Sequence, residues 1–418
     1  MKTYRSESQQ AKEKAINKER LSLEVPLPME ELIAGTCDDI EVFVAQVGLR
    51  IIQRIMEAEI QKKVGRWGRQ PMHRHGHQPG YVVYGGRKVS LERPRLRSRK
   101  DKEVPLASYR AFQKNGKLQE AVARQVSRQC SSRDYQGAID SCLQGYGIQR
   151  SSVSRHWKAA TAKELQTLME RPVPKDLLVL MIDSKYFGGD CLVAAIGVDI
   201  QGKKHVLGLW HGPTENAAVV KGLLEDLVSR GLESERKMLI VMDGAKALRK
   251  AVRQVLGEQM PVQRCRVHKL RNVVDQLPEP KKEPARRRMQ AAWAQKDPKV
   301  AEQELRKTAR WLEESWPNAA ASLLEGLEET LTVQRLNLSP TLCRSLSSTN
   351  LIENCFSQVA HRTRQVKRWD GPKMILRWTA AALLRAEKSF RRLNGCEQLN
   401  DLEKSLLAIA TASTLKAA

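Results

Sequence analysis

Three acidic residues occupy places where carboxylates could hold a pair of divalent metal ions. Asp183 closes the apolar run LLVLMID, and Asp243 closes a second, MLIVMDG. Glu353 sits in TNLIENCFSQVAHRTRQ, whose apolar spacing predicts a helix. In open α/β sheets, strand ends converge on the crevice where ligands bind. Two carboxylates there, joined by one from a helix, could hold two Mg²⁺ ions about 4 Å apart, a pair able to activate a water or a hydroxyl for in-line attack on a phosphodiester. Each acid also has a plainer reading. Asp183 could be a solvated strand terminus, Asp243-Gly244 a turn dipeptide, and Glu353 the N3 residue of a capping box opened by Asn350. All three in one topology point instead to a site.

Such acids need strands that end at one edge and a helix that returns to it. Residues 172–275 alternate accordingly. The strands LLVLMID, CLVAAIGVDI and KKHVLGLW are followed by a helix over 215–230, the strand MLIVMD, the helix AKALRKAVRQVLG and the strand VQRCRV. Three meandering strands, then strand–helix–strand, is the order of an RNase H-like mixed sheet, so the expected fold class is α/β. Residues 278–335 turn charged and helical, with Trp293, Trp311 and Trp316 as internal anchors, and read as an all-α insertion. A final helical segment over 348–394 brings Glu353 back to the sheet.

The remaining sequence suits a polyanion. Lys and Arg number 72 against 47 Asp and Glu, a net charge of +25 over 418 residues, which points to nucleic acid rather than a small metabolite. The N-terminus has no apolar segment of the kind that directs secretion, and no apolar run is long enough to span a bilayer. The eight cysteines include no C-x-x-C pair, as expected of reduced thiols in a cytosol. Residues 28–64 carry a helical period and predict two amphipathic helices. Residues 65–80 read as a loop containing His73, His75 and His77, whose flanking Gly and Pro favour flexibility over metal binding. Residues 81–97 predict a β-hairpin about Gly85-Gly86, in which Arg93, Arg95 and Arg97 recur at period two. One strand face of arginines can follow phosphates, and its plainer reading is an edge strand guarded against aggregation. Residues 117–165 predict helices broken at Gly145 and Gly147, a helix-turn-helix pattern. Its second helix opens at Ser151 as N-cap and presents Ser151, Ser152, Arg155, His156 and Lys158. Beyond Glu353, Arg362, Arg364, Lys367 and Arg368 could clamp phosphates beside the metals, or form a solvated basic helix end.

At this point the chain resembles the Mutator-type family of bacterial insertion-sequence transposases. The stretches that carry the resemblance are MIDSKYF, AAIGVDIQGKKHVLGLW, LVSRGL, LIVMDGAKALRKAV, QRCRVHKLRNV and STNLIENCFSQVAHRTRQVKRW, with a weaker match in MEAEIQKKVGR and GYVVYGGRKVSLERPRLR. They extend over roughly residues 30–390. The resemblance implies an RNase H-like core interrupted by a helical insertion, with Asp183, Asp243 and Glu353 as the metal-binding DDE triad. It implies Mg²⁺-dependent cleavage at the element's terminal inverted repeats, Mn²⁺ being a substitute, and joining of the 3′-hydroxyl to target DNA. Cys265 and His268 match its C-x-x-H pair. One Cys and one His do not complete a structural zinc site, so the pair is expected to have a structural or DNA-positioning role. The strand VQRCRV is expected to place Cys265 near Asp243 and His268 at the strand's carboxyl end. The family usually has Asp-Gly at the first acid, where this chain has Asp183-Ser184.

The expected organisation is an N-terminal helical segment and loop over 1–80, the hairpin and basic strand over 81–110, and a helix-turn-helix-like DNA-binding region over 111–170. The catalytic core follows over 171–277, the insertion over 278–340, and the final core helices over 341–418. The expected function is a nucleoid-associated DNA transposase acting on double-stranded DNA as a homo-oligomer, at least a dimer, with no membrane partner. The alternative is a non-catalytic DNA-binding regulator or an inactivated transposase.

Overall fold

The computed structural model describes residues 40–65, 72–84, 87–113, 120, 122–123, 126, 150–364 and 366–417. The chain forms two units, one of residues 1–122 with 132–153 and one of 123–131 with 154–418.

In the first unit, α1 (Ile40–Val64) spans most of the stretch where two helices were expected; residues 28–39 of that expectation lie outside the described residues. Ile52, Met56 and Ile60 repeat at helical spacing and are buried with Val82, Leu91 and Leu96. The strands β1 (Met72–Tyr84) and β2 (Arg87–Ser98) pair antiparallel, β3 (Glu103–Val104) joins β2, and α2 (Ala107–Phe112) follows. The hairpin therefore takes in the His73–His77 stretch, which was expected to be a loop. His73 pairs with Arg97 and Arg74 with Leu96, and the register shifts before His77. Gly76, at φ 66°, lies in that irregularity, where a left-handed residue suits a bulge. Cross-strand pairing outweighs the local turn preference of Gly and Pro.

The second unit is built on five strands: β4 (Leu177–Phe187), β5 (Asp190–Asp199), β6 (Lys204–Gly212), β7 (Leu239–Met242) and β8 (Val262–Arg264). Their order is β6-β5-β4-β7-β8, antiparallel through β6, β5 and β4, and parallel through β4, β7 and β8. The succession of strands and helices along the chain is the one read from the sequence. The helix α3 (Arg150–Glu170) precedes the sheet, α4 (Ala217–Ser229) joins β6 to β7, and α5 (Lys246–Leu256) joins β7 to β8. Both faces of the sheet are covered, which is why its strands read as apolar runs rather than alternating patterns. Leu180, Ile182, Ile240 and Met242 pack under α4 and α5. Val179, Met181, Leu239 and Val241 pack on the opposite face with the later helices.

Four helices follow β8: α6 (Arg266–Val274), α7 (Glu279–Trp293), α8 (Pro298–Glu313) and α9 (Pro317–Leu324). They share a separate core in which Trp293 is buried and Trp311 and Trp316 pack at the margin, their rings 6.2 Å apart. Lys269 is fully buried there, and its Nζ donates to the carbonyls of Ser322 and Glu325 at the end of α9. The chain returns through α10 (Thr332–Arg335) and α11 (Pro340–Leu346) to α12 (Asn350–Thr363), α13 (Pro372–Glu387) and α14 (Leu399–Ala417). The segment 348–394, expected as one helical stretch, breaks between α12 and α13, where Gly371 caps α13 at φ 76°.

Candidate active site

Asp183 does not end its strand, as the sequence suggested. β4 continues to Phe187 because β5 pairs with it as far as Asp190. It is the parallel pairing with β7 that stops, at Ile182 and Met242, one residue before each acid. Strand side chains alternate between faces. Asp183 is therefore in phase with Val179 and Met181, and Asp243 continues the phase of Leu239 and Val241. These four apolar residues belong to the cluster that also holds Ile352, Cys355, Phe356 and Val359 of α12. The helix carrying Glu353 thus covers the face on which both aspartates fall.

Asp183 is 5% exposed. Burial pushes its carboxyl up to about 6 and the charge of Asp243 adds to this, against the opposing pull of His268, the Ser184 N–H and Thr349. The Ser184 N–H donates to Asp183 Oδ1 at 2.9 Å. Asp243 Oδ1 accepts from the Ala245 N–H at 2.8 Å. The Asp243-Gly244 pair is more than a turn dipeptide, because a side chain at Gly244 would overlap the guanidinium of buried Arg264. Arg264 is held there by the Glu325 carbonyl at 2.9 Å and the Glu325 carboxylate at 3.1 Å.

Glu353 lies in the first turn of α12, but the cap is Thr349 rather than Asn350, and the Glu353 N–H donates to the Thr349 carbonyl at 3.0 Å. The Glu353 side chain is therefore not turned back into a capping box. Its Oε1 lies 3.3 Å from His268 Nε2, an ion-pair distance without hydrogen-bond alignment. That oxygen is buried with no hydrogen-bond partner among the described residues.

The strand expected to carry Cys265 ends at Arg264. Cys265 is the N-cap of α6, and His268 sits in the first turn of that helix rather than at a strand end. The Cys265 N–H still donates to the Met242 carbonyl at 2.8 Å, which ties the pair to the end of β7. Thr349 links both residues to the base of α12, through its N–H to Cys265 Sγ at 3.4 Å and its hydroxyl beside His268 Nδ1 at 3.4 Å. The hydrogen bond with Cys265 raises the His268 imidazole to about 9, helped by the charges of Cys265, Asp183 and Glu353 and opposed by burial. Burial pushes the Cys265 thiol up, but hydrogen bonds with His268 and Thr349 outweigh it and hold the thiol below its ordinary value.

A fourth acid, Glu215, escaped the reading of the sequence, which placed it at the start of a helix over 215–230; it lies in the loop between β6 and α4. Ser184 Oγ donates to Glu215 Oε2 at 2.8 Å, and Glu215 Oε1 is buried without a hydrogen-bond partner among the described residues. Burial raises its carboxyl, and Asp243 adds to the effect. Ser184, which stands where the resemblance leads one to expect glycine, is thus the link between Asp183 and Glu215. The only sequence signal was that departure itself.

Asp243 acts electrostatically on both Asp183 and Glu215, and His268 is the cation that offsets the charge of Asp183, Glu215 and Glu353. This set of carboxylates, hard oxygen ligands with two orphaned buried oxygens, fits a divalent cation such as Mg²⁺ or Mn²⁺. Beside Asp243 opens a cleft of about 500 Å³ whose wall includes Lys246, Arg249, Lys250, Arg253 and Arg264. A larger cleft of about 850 Å³, lined by Trp293, Gln334 and Arg344 among others, carries none of these acids.

The residues expected to contact DNA fall on several elements. Arg93, Arg95 and Arg97 do share a strand face, but they are half-buried and ion-paired, the first two to Glu103 at 2.9 and 3.0 Å and the third to Asp101 at 2.7 Å. They were expected to face solvent together; the short β3 and its turn supply the acids that cover them. α3 starts at Arg150, so Ser151 is inside the helix rather than its cap. Ser151, Arg155 and Lys158 are exposed and His156 is half-buried. Ser152 shares that first turn. The first helix of the expected helix-turn-helix, over 131–147, lies outside the described residues. Arg364, Lys367 and Arg368 are exposed at and beyond the end of α12, and Arg362 is half-buried. No helix among the described residues is long and apolar enough to cross a membrane.

Comparison with known proteins gives a consistent result. The model of the family described as "Transposase, Mutator family" matches residues 29–392. The chain is 25% identical over 380 residues to the transposase for insertion sequence element ISRM5 of Rhizobium meliloti (strain 1021), covering 87% of this chain and 92% of that one. It is 30% identical over 239 residues to the transposase for insertion sequence element IST2 of Acidithiobacillus ferrooxidans, covering 55% and 79% respectively. It is also 25% identical over 288 residues to the transposase for insertion sequence element IS905 of Lactococcus lactis, covering 66% and 70%.

Proposed function

The chain belongs to the Mutator family of transposases, and from that premise we propose that it cleaves DNA at the ends of an insertion sequence and joins the 3′-hydroxyl to target DNA, with Asp183, Asp243 and Glu353 holding the metals. In this reading the second unit is an RNase H-like core with a helical insertion, and residues 81–110 and 111–170 engage DNA. What supports it is the placing of the two aspartates in the sheet. Two aspartates from adjacent parallel strands fall in one phase, beneath the helix that supplies Glu353.

Bound Mg²⁺ would supply Lewis-acid activation of a water or 3′-hydroxyl and neutralisation of charge on the leaving oxygen. The protein's own groups do the positioning. Ser184 fixes Asp183 through its N–H and Glu215 through its hydroxyl. Thr349 holds the base of α12 against Cys265 and His268, which sets where Glu353 enters. His268, whose imidazole Cys265, Asp183 and Glu353 hold above its ordinary value, lies 3.3 Å from Glu353 and can meet a phosphate oxygen. The basic wall of the cleft beside Asp243 offers a path for the DNA backbone. No protein nucleophile is needed, so catalysis rests on orientation and charge. Joining two DNA ends fits a homo-oligomer.

The test is strand joining with a pre-cleaved element end and a plasmid target in Mg²⁺. Asp243→Asn should abolish product while retaining end binding in a mobility-shift assay. Full joining by that variant overturns the assignment; end binding without joining by the unaltered chain favours the inactivated-transposase reading.

A further inference from the structure

We propose that Cys265, His268 and Glu353 form a second metal site, one for a thiophilic divalent cation such as Zn²⁺, whose occupation withdraws Glu353 from the oxygen-ligand site. The consequence for activity rests on the function proposed above; the binding itself does not.

The ligands come from two elements fixed to each other. Cys265 is anchored by its N–H to the end of β7, and His268, three residues on, shares its side of α6. Glu353 arrives from the first turn of α12. Cys265 Sγ, a ring nitrogen of His268 and a carboxylate oxygen of Glu353 all lie within 4.8 Å of one another. Around a zinc ion these atoms would sit 2.0–2.3 Å from the metal, so side-chain movements of about an ångström would close the site. Two further features suit a metal thiolate. Sγ accepts from both the N–H and the hydroxyl of Thr349, at 3.4 and 3.5 Å, the kind of outer hydrogen bonding that orients a metal's ligands. Glu353 Oε1 is buried and has no hydrogen bond among the described residues.

Three protein ligands and an open position make an exchangeable site rather than a structural one, which closes with four. Sulfur and imidazole favour Zn²⁺ or Cd²⁺ over Mg²⁺, whereas the carboxylates of Asp183 and Asp243 offer the hard oxygen ligands that suit Mg²⁺. Glu353 is the one group both sets need. Its carboxylate, drawn toward Cys265 and His268, is no longer available on the Asp183 side. The site therefore makes the enzyme sensitive to free thiophilic metal, with Glu353 as the shared element.

The probe is Cd²⁺, added to the purified full-length chain under a non-thiol reductant and followed by the ultraviolet thiolate-to-cadmium charge-transfer band. The band should saturate at one Cd²⁺ per chain and withstand excess Mg²⁺. It should disappear in Cys265→Ser and weaken in His268→Ala. It should shift by at least about tenfold in Glu353→Gln, since even outer hydrogen-bond partners change metal affinity by 10–100-fold. It should be unchanged in Asp243→Asn. Circular dichroism of each variant establishes that it is folded. Absence of a band in the unaltered chain, its survival in folded Cys265→Ser, or an unmoved midpoint in Glu353→Gln overturns the proposal. In the joining assay, Zn²⁺ should inhibit the unaltered chain, and inhibition of Cys265→Ser, relative to its own zinc-free rate, should need more Zn²⁺. Equal sensitivity overturns the regulatory consequence. A chain that binds Cd²⁺ through Cys265 but never joins DNA keeps the site and loses the function proposed above.

Discussion

Replacing Asp183 with Asn should abolish joining and yet stabilise the metal-free protein. In the fold, the Asp183 carboxyl is pushed from its ordinary 3.8 to about 6, chiefly by burial. At 1.36 kcal/mol for each pKa unit, ionising it in place costs about 3 kcal/mol. The sign follows from linkage. The folded state holds the proton more tightly than the unfolded one, so the stabilising contribution is complete below pH 3.8. It is lost as pH rises through about 6, and is absent at neutral pH. Asn keeps an oxygen to accept from the Ser184 N–H but never ionises. Allowing about 1 kcal/mol for fitting its amide into the site, about 2 kcal/mol should remain as a gain at pH 7.5. For a unit of this size that is a rise in melting temperature of roughly 4–8 °C. Thermal denaturation in EDTA from pH 4 to 8 provides the assay. The difference between variant and parent should grow between pH 4 and 6 and then level, and Mg²⁺ should raise the melting temperature of the parent but not of Asp183→Asn. An Asn variant no more stable than its parent at pH 7.5, or a difference that does not change across that window, would refute the reasoning.

Other substitutions probe the surroundings. Glu215→Gln keeps an acceptor for Ser184 but removes the charge, and joining should fall by about 10–100-fold, the range for groups that orient metal ligands, with the fold intact by circular dichroism. Lys269→Met leaves the Ser322 and Glu325 carbonyls without their donor and should lower stability by about 1–3 kcal/mol in chemical denaturation. Gly244→Ala drives a methyl into the Arg264 guanidinium and should cost about 1–3 kcal/mol as well as joining activity. Arg155→Ala should weaken binding to element ends by about 1–3 kcal/mol if Arg155 reads a base; an equal loss on unrelated DNA, seen in mobility-shift titrations at several salt concentrations, would make it a phosphate contact.

The strands of the core were legible because they are apolar throughout, a pattern that sheets covered on both faces impose. Their succession along the chain followed from the turn and helical signals between the apolar runs. Asp183, Asp243 and Glu353 stood out by their places in such elements. Details set by tertiary contact were not legible. Asp183 reads as a strand end, yet β5 carries β4 four residues further, and only the missing β7 partner marks the position. His73, His75 and His77 look like loop residues until the opposing strand pairs with them. Arg93, Arg95 and Arg97 read as an open row because Asp101 and Glu103, a turn away in sequence, give no sign that they fold back over them. Glu215 left no pattern at all, since a single glutamate in a loop becomes part of the site only through Ser184.

The central claim is that Asp183, Asp243 and Glu353 together hold divalent metal. Crystals of the chain with an element-end duplex bearing a free 3′-hydroxyl, soaked in Mn²⁺ at neutral pH, would locate the metal by its anomalous scattering. The account predicts Mn²⁺ peaks bounded by the carboxylates of all three residues and lost in Asp243→Asn. Peaks confined to other acidic groups, or an unchanged pattern in that variant, would contradict it.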